Sequence, residues 1–364
     1  MLRIAHVLGS FEIGGGERVA LDLARGQRRA GHEVIAVSLA PGPPGPLAEQ
    51  FEAAGARAIT VPKLPRVDVT LPARLAALFY RRGVGVVHTH NPQPLIYAAV
   101  AGKLARARVV HTKHGLNQGR ARALWLRQRA AAFADVYVAV SEATAAQSRE
   151  QRDCAPHKLR VIANGIELDQ FRPDPDSRAA VRAALGIGAG ARVLGTVGRI
   201  HPDKNHARLV RAAAPLVGED LRLVIVGDGP MLPQLREQVA SLPAGRAAFV
   251  HLLGRRLDVP RLLAAFDVFA MSSDTEGLPL VVPEAMATAL PVVSTAVGGI
   301  PAVVREGDTG FLVPAADEAA LRDRLARLAA DPDLAARMGA RGREIALAEH
   351  SCERMLRAYM AAYG

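Results

Sequence analysis

Short apolar runs of β character alternate with helical stretches from one end of this chain to the other, and that alternation leaves few folds open. It is the pattern of a parallel sheet whose strands are joined by crossover helices. In the first half, strands are predicted at 4–8, 33–38, 84–89, 108–111, 136–140 and 159–162, with helices over about 17–30, 71–81, 95–105, 121–133 and 142–151 between them. A loop rich in Pro and Asp, Phe171-Arg172-Pro173-Asp174-Pro175-Asp176, interrupts the pattern, which then starts afresh. Strands follow at 193–197, 221–226, 248–252, 268–271 and 292–294, and beyond Pro314 the chain becomes a series of Ala- and Arg-rich amphipathic helices. At 364 residues the chain exceeds one usual core. The expected architecture is therefore α/β: two Rossmann-like domains, 1–172 and 173–345, facing each other across a cleft. The last helix, 346–364, is free to pack back on the first domain.

Charge is distributed unevenly between these halves. Through Arg172 there are 24 Lys/Arg against 13 Asp/Glu; beyond it 22 meet 22, so the whole net charge of +11 lies in the first half. A basic half suits an anionic partner such as a membrane surface or a phosphorylated acceptor, and equally reflects an Arg- and Ala-rich composition. Aromatic residues at 4% provide no stacking platform for single strands, and no nucleic-acid partner is expected. Two distant cysteines, Cys154 and Cys352, make neither a disulfide framework nor a zinc site and fit a reducing compartment. With an N-terminus broken at Glu12 and no apolar run of about 20 residues, the expectation is a cytoplasmic protein, peripheral to the inner face of a membrane at most. The stretch from Arg120 to Arg129, with Trp125 and leucines at helical spacing, reads either as an interfacial helix or as an ordinary core-facing one.

Chemistry concentrates in the second half. Glu276-Gly277-Leu278-Pro279-Leu280-Val281-Val282-Pro283-Glu284 sets two carboxylates, seven residues between them, around a Gly-Pro bend at the expected carboxyl edge of a sheet, where ligands of open α/β sheets bind. A sugar nucleotide suits that place, its diphosphate drawn to helix amides and its vicinal hydroxyls donating to a carboxylate. Two solvated glutamates near a helix start are the plainer alternative. Strand 193–197 runs into Gly198-Arg199-Ile200-His201-Pro202-Asp203-Lys204-Asn205, whose two cations can converge on a diphosphate as it gains charge on leaving. The same loop is also readable as a basic turn with Asp203 or Asn205 capping a helix. Gly227-Asp228-Gly229-Pro230 is turn chemistry beside the same edge, and Gly254-Arg255 can line a base pocket. Asp174-Pro175-Asp176 reads as a turn rather than as a metal-binding acid pair.

The first half offers looser signals. Gly14-Gly15-Gly16-Glu17 opens a helix and lets the backbone approach a phosphate or sugar, but no G-x-G-x-x-G with a ribose-binding acid follows either sheet start, which disfavours a dinucleotide oxidoreductase. His88-Thr89-His90 and His111-Thr112-Lys113-His114 close two strands, where histidines facing a cleft can hydrogen-bond a sugar. Their spacing is not that of a metal-binding helix, and no metal is expected.

Together these motifs resemble glycosyltransferase family 4, retaining nucleotide-sugar-dependent enzymes of the two-domain GT-B fold. The resemblance runs over nearly the whole chain, including Ser141-Glu142, Asn164-Gly165-Ile166, the segment from Ser272 to Glu284, Gly298-Gly299 and Glu306-Gly307 with Gly310. It implies that the first domain binds the acceptor and the second the donor. It further implies that Glu284 binds the ribose, Glu276 the donor sugar, and Arg199 and Lys204 the diphosphate, cradled by Gly15, Gly16, Gly198 and the amides after Gly277 at Leu278 and Leu280. Gly227, Gly229 and Arg255 would lie beside the base, and His114 matches the family histidine placed near the transferred sugar. The implied activity moves a sugar from a UDP- or GDP-sugar onto a glycan, lipid-linked saccharide or similar hydroxyl acceptor, without metal or cofactor and with no protein base. Two other readings stay open: an epimerase or phosphorylase-like enzyme of the same fold, and a non-catalytic basic protein that binds a membrane or nucleic acid.

Overall fold

A computed structural model describes residues 1–116, 121–243 and 245–364. The chain divides into two compact units, Met1–Gly165 with Cys352–Gly364, and Ile166–Ser351.

In the first unit seven strands form one all-parallel sheet: β1 Arg3–Leu8, β2 Glu33–Ser38, β3 Arg57–Thr60, β4 Val86–His90, β5 Arg108–Lys113, β6 Val136–Ala139 and β7 Leu159–Val161. Their spatial order is β3-β2-β1-β4-β5-β6-β7. β4 is buried along its whole length because helices cover both faces of a sheet made from crossovers. The edge strand β3, Arg-Ala-Ile-Thr, and the helix Leu47–Ala53 before it were not predicted. Four residues, polar at both ends and exposed at both ends, give no apolar run to read.

The C-terminal helix Cys352–Tyr363 belongs to this unit, and its sequence explains why. Cys352, Met355, Tyr359 and Tyr363 recur at helical spacing and are all buried. Tyr359 and Tyr363 place their hydroxyls at Thr112 Oγ1 (3.0 Å) and His88 Nδ1 (2.7 Å), so two large apolar rings are buried without stranding either polar tip.

The second unit repeats the plan with six strands: β8 Arg192–Val197, β9 Leu221–Val226, β10 Val250–Leu252, β11 Val268–Met271, β12 Val292–Thr295 and β13 Gly310–Val313. Every pair is parallel and the order is β10-β9-β8-β11-β12-β13. Its core gathers Leu194, Leu209, Leu223, Ile225, Phe311 and Leu325 beneath the helices. The segment expected as a turn at Asp174-Pro175-Asp176 is instead the start of a helix, Pro175–Ala184. Asp174 Oδ1 accepts the Ser177 amide at 3.0 Å, and Pro175 occupies the first helical position, where its missing N–H costs nothing.

Candidate active site

Each sheet reverses its strand order once, where β1 lies beside β4 and where β8 lies beside β11. Outside the carboxyl ends of strands, such a reversal leaves a crevice between crossovers that depart to opposite sides, and ligands bind there. Of the predicted site residues, Gly15, Gly16 and His114 follow strands at or beside the first reversal, and Gly198, Arg199, Lys204 and Glu276 follow the two strands of the second; Gly227 and Gly229 follow β9, and Arg255 follows β10, two strands away.

In the second unit, β8 leads into Gly198-Arg199 and a short turn, Pro202–Lys204, while β11 leads into Ser272-Ser273-Asp274 and Glu276. Asn205 adopts left-handed backbone with φ of 46° and caps the helix His206–Ala213, its Oδ1 accepting the Arg208 amide at 3.2 Å. From the same side chain Nδ2 donates to Asp274 Oδ2 at 2.9 Å, and Ser272 Oγ donates to the Asn205 carbonyl at 2.8 Å. Arg208 adds an ion pair to Asp274 at 2.7 Å, and the Asp274 amide donates to the Asp203 carbonyl at 2.8 Å. Helix capping and a ligand role for this loop are therefore not alternatives: the cap is what fixes the loop against its neighbour.

That stitching brings Lys204 Nζ to 2.5 Å from Glu276 Oε1, and Ser273 Oγ donates to the same oxygen at 2.7 Å. The Glu276 side chain is 7% exposed and that of Lys204 28%, so a nearly buried carboxylate is held by a cation that still reaches solvent. Arg199 and Arg255 are exposed, after β8 and β10 respectively. Gly198, Gly227 and Gly254 meet through their backbones: the Gly198 amide donates to Val226 and the Gly227 amide to Gly254. A Cβ on Gly227, at φ 148°, would sit 1.8 Å from the Gly198 carbonyl oxygen, and one on Gly229 would crowd Ile200. Gly277 accepts from the Gly299 amide at 2.7 Å, and Leu278 and Leu280 bury their side chains. Glu284 is half-buried in the helix Val281–Ala287, where Pro283, as the third residue, displaces no intrahelical donor.

In the first unit the helix Gly15–Arg29 begins directly after the Gly14 loop. A Cβ on Gly16 would lie 3.0 Å from His114 Cδ2 and 3.2 Å from Asn91 Nδ2, so Gly16 and His114 are in contact, whereas a Cβ on Gly15 would meet nothing within 4 Å. The other strand-end histidines depart from expectation. His88, His90 and His111 are completely buried, because β4 and β5 are interior strands covered on both faces. Burial lowers the His6 imidazole to about 4 and those of His111 and His114 to about 3, and it holds His88 and His90 well below the ordinary histidine value.

Ring nitrogens of His6, His88 and His90 lie within 4.8 Å of one another, a span that suits a metal ion. All six nitrogens, however, already have hydrogen-bond partners: Gln27, His90, His6, His114, Tyr363 and Thr112. On the opposite face of the sheet, Lys113 and Arg127 pair with buried Asp153, each at 2.9 Å. Arg127 lies on the helix Ala121–Ala131, so part of the predicted interfacial stretch is turned inward; Arg120 lies outside the described residues. Trp125 on that helix is 53% exposed, with the Arg129 guanidinium over its ring.

Sequence reasoning missed His6, Gln27, Tyr359, Tyr363 and Ser273. The available signal was His6 itself, one polar residue in the apolar run Ile4-Ala5-His6-Val7-Leu8, which a fully covered strand tolerates only with a partner.

Two all-parallel sheets, each reversing its strand order once, define a pair of Rossmann-like units with their loops at the carboxyl edges. Residues 13–170 match the family described as Glycosyltransferase Family 4, and residues 191–331 match Glycosyl transferases group 1. A D-inositol 3-phosphate glycosyltransferase of Saccharomonospora viridis is 35% identical over 67% of this chain and 62% of its own. The GDP-mannose-dependent alpha-(1-6)-phosphatidylinositol monomannoside mannosyltransferase of Mycolicibacterium smegmatis is 34% identical over 77% of this chain and 76% of its own. Among solved structures, Anabaena HepE in complex with UDP-glucose superposes with a TM-score of 0.90 at 23% identity, covering 100% of this chain and 99% of that one, a likeness of fold. The chain belongs to glycosyltransferase family 4.

Proposed function

We propose that this glycosyltransferase is a retaining, metal-independent enzyme that moves a hexose or amino sugar from a UDP- or GDP-sugar to a hydroxyl of a glycan or lipid-linked saccharide. The observation that carries this reading is the Lys204–Glu276 pair held at the reversal of the second sheet, with Arg199 on the same loop. Arg199 and Lys204 take the diphosphate, Glu276 a hydroxyl of the sugar, Glu284 the ribose, and His114 a hydroxyl of the transferred sugar. The bond from the anomeric carbon to the diphosphate oxygen breaks with its electron pair going to the nucleotide, where fixed cations lower the barrier most. The acceptor oxygen bonds to the same face of that carbon, and its proton passes to the departing phosphate. No protein base is required.

A named GDP-mannose user among the relatives and a neighbour of the same fold solved with UDP-glucose support a nucleotide-sugar donor. No cofactor beyond that donor enters the scheme. The chain works in the cytoplasm, with its basic first unit and the Trp125–Arg129 face meeting an anionic membrane; none of the described helices is long and apolar enough to cross one. Sedimentation with anionic and neutral liposomes tests that contact, and equal recovery in both refutes it. For the reaction, nucleotide release is measured with a panel of donors for the parent and for Arg199→Ala, Lys204→Ala and Glu276→Ala. Loss of turnover in all three supports the assignment, and parental turnover in all three removes it.

A further inference from the structure

His114 is the end of a series of buried side chains. Gln27 Oε1 faces His6 Nε2 at 2.8 Å; His6 Nδ1 faces His90 Nε2 at 3.0 Å; His90 Nδ1 faces His114 Nε2 at 2.9 Å. Gln27, His6 and His90 are buried, and burial keeps all three imidazoles uncharged at neutral pH, so each ring carries one proton to share between two nitrogens. The order of those protons is then fixed from one end. An amide oxygen only accepts, so His6 donates from Nε2 and must accept at Nδ1. His90 consequently donates from Nε2 and accepts at Nδ1, and His114 donates from Nε2. The remaining atom, His114 Nδ1, is enclosed and has no partner among the described residues.

What decides the direction is the Gln27 amide. Its Nε2 donates to the Tyr363 hydroxyl at 3.2 Å, which points Oε1 at His6. Tyr363 in turn sits on His88 Nδ1 at 2.7 Å, and His88 Nε2 on Thr112 Oγ1 at 2.7 Å. Turning the amide over would reverse every bond in the series and make His114 Nδ1 a donor.

We propose that Gln27, His6 and His90 are positioning residues that select the tautomer of His114, presenting its Nδ1 to a bound ligand as a hydrogen-bond acceptor for a hydroxyl group. The inference rests on the reading that His114 lies at the transferred sugar. An enclosed acceptor without a partner is costly until something donates to it. A sugar hydroxyl meets that need, whereas a carbonyl or carboxylate at the same position is repelled.

The test uses the full chain with 15N-labelled histidine and long-range proton–nitrogen correlation, which reports which ring nitrogen bears the proton. His114→Asn serves only to assign the His114 signals. The parent is expected to show His6, His90 and His114 protonated at Nε2; protonation of His114 at Nδ1 overturns the proposal whatever any variant does. Gln27→Met, which keeps the volume and removes the amide, is expected to leave a mixture of His114 tautomers. With that mixture only the fraction of His114 protonated at Nε2 is competent, so kcat/KM for the donor falls about 2-fold where the two tautomers are equally populated. An unchanged single tautomer in a folded Gln27→Met chain overturns the role of Gln27. A shifted tautomer with unchanged donor turnover leaves the relay standing and instead removes His114 from the transferred sugar.

Discussion

The Lys204–Glu276 contact makes a specific demand on a double-mutant cycle. Across 2.5 Å the gross attraction is about 7 kcal/mol at an effective dielectric constant near 20. Lys204 is 28% exposed, so solvent screening and desolvation reduce the net coupling to about 1–3 kcal/mol. Lys204→Met leaves a carboxylate that is 7% exposed with, among the described residues, only the Ser273 hydroxyl to hold it, and destabilises the chain by about 3 kcal/mol. Glu276→Gln keeps an acceptor for Ser273 and leaves the lysine able to reach water, costing about 1 kcal/mol. The double variant is milder than the sum of the two. Nucleotide affinity follows the same logic: removing the lysine alone converts a neutral pair into an uncompensated anion beside the diphosphate, weakening UDP or GDP binding about 100-fold. Removing both charges weakens it about 10-fold. Urea denaturation and calorimetric titration of the four proteins read both quantities. Additivity within about 0.5 kcal/mol in both would show that Lys204 and Glu276 do not act as a pair.

Three further outcomes follow from the geometry. Gly227→Ala places a methyl 1.8 Å from the Gly198 carbonyl at a φ of 148°, and is expected to lower stability by about 3 kcal/mol, read by denaturation; a neutral result contradicts the packing of the two loops. Gly16→Ala pushes on the His114 ring at 3.0 Å and is expected to lower turnover more than stability, a split that activity and melting measurements together detect. Because His6 is held neutral with its value lowered from 6.5 to about 4, the unfolded chain binds the proton first as pH falls. The contribution is complete above pH 6.5 and is lost between 6.5 and about 4, amounting to about 3 kcal/mol. His6→Asn therefore flattens the fall of stability over that window, and an unchanged slope counts against the buried neutral ring.

Parallel strands in series are legible because a strand covered on both faces is mostly apolar: β11 is apolar throughout, and β9 is broken only by Arg222. The edge strand β3 is short and polar at both ends, so it lacks that signature; β13, Gly310–Val313, is apolar but only four residues long, and neither is predicted. Loop chemistry at Lys204 and Glu276 was visible as residue types in the right setting. That the two would touch was not, since sheet order, and not sequence distance, brings β8 beside β11. The histidine series shows the same limit. His88, His90 and His114 announce themselves at strand ends, but Tyr363, the partner of His88, and Gln27, the partner of His6, come from helices at opposite ends of the chain, and only the packed unit brings them together.

In the proposed reaction the reversal between β8 and β11 holds the activated sugar, its diphosphate gripped by Arg199 and Lys204 and its sugar by Glu276. A crystal structure of the chain with an intact UDP- or GDP-sugar measures this directly. Phosphate oxygens are expected within hydrogen-bond distance of Arg199 and Lys204, with a sugar hydroxyl on Glu276; a donor bound with its diphosphate away from both cations overturns the assignment.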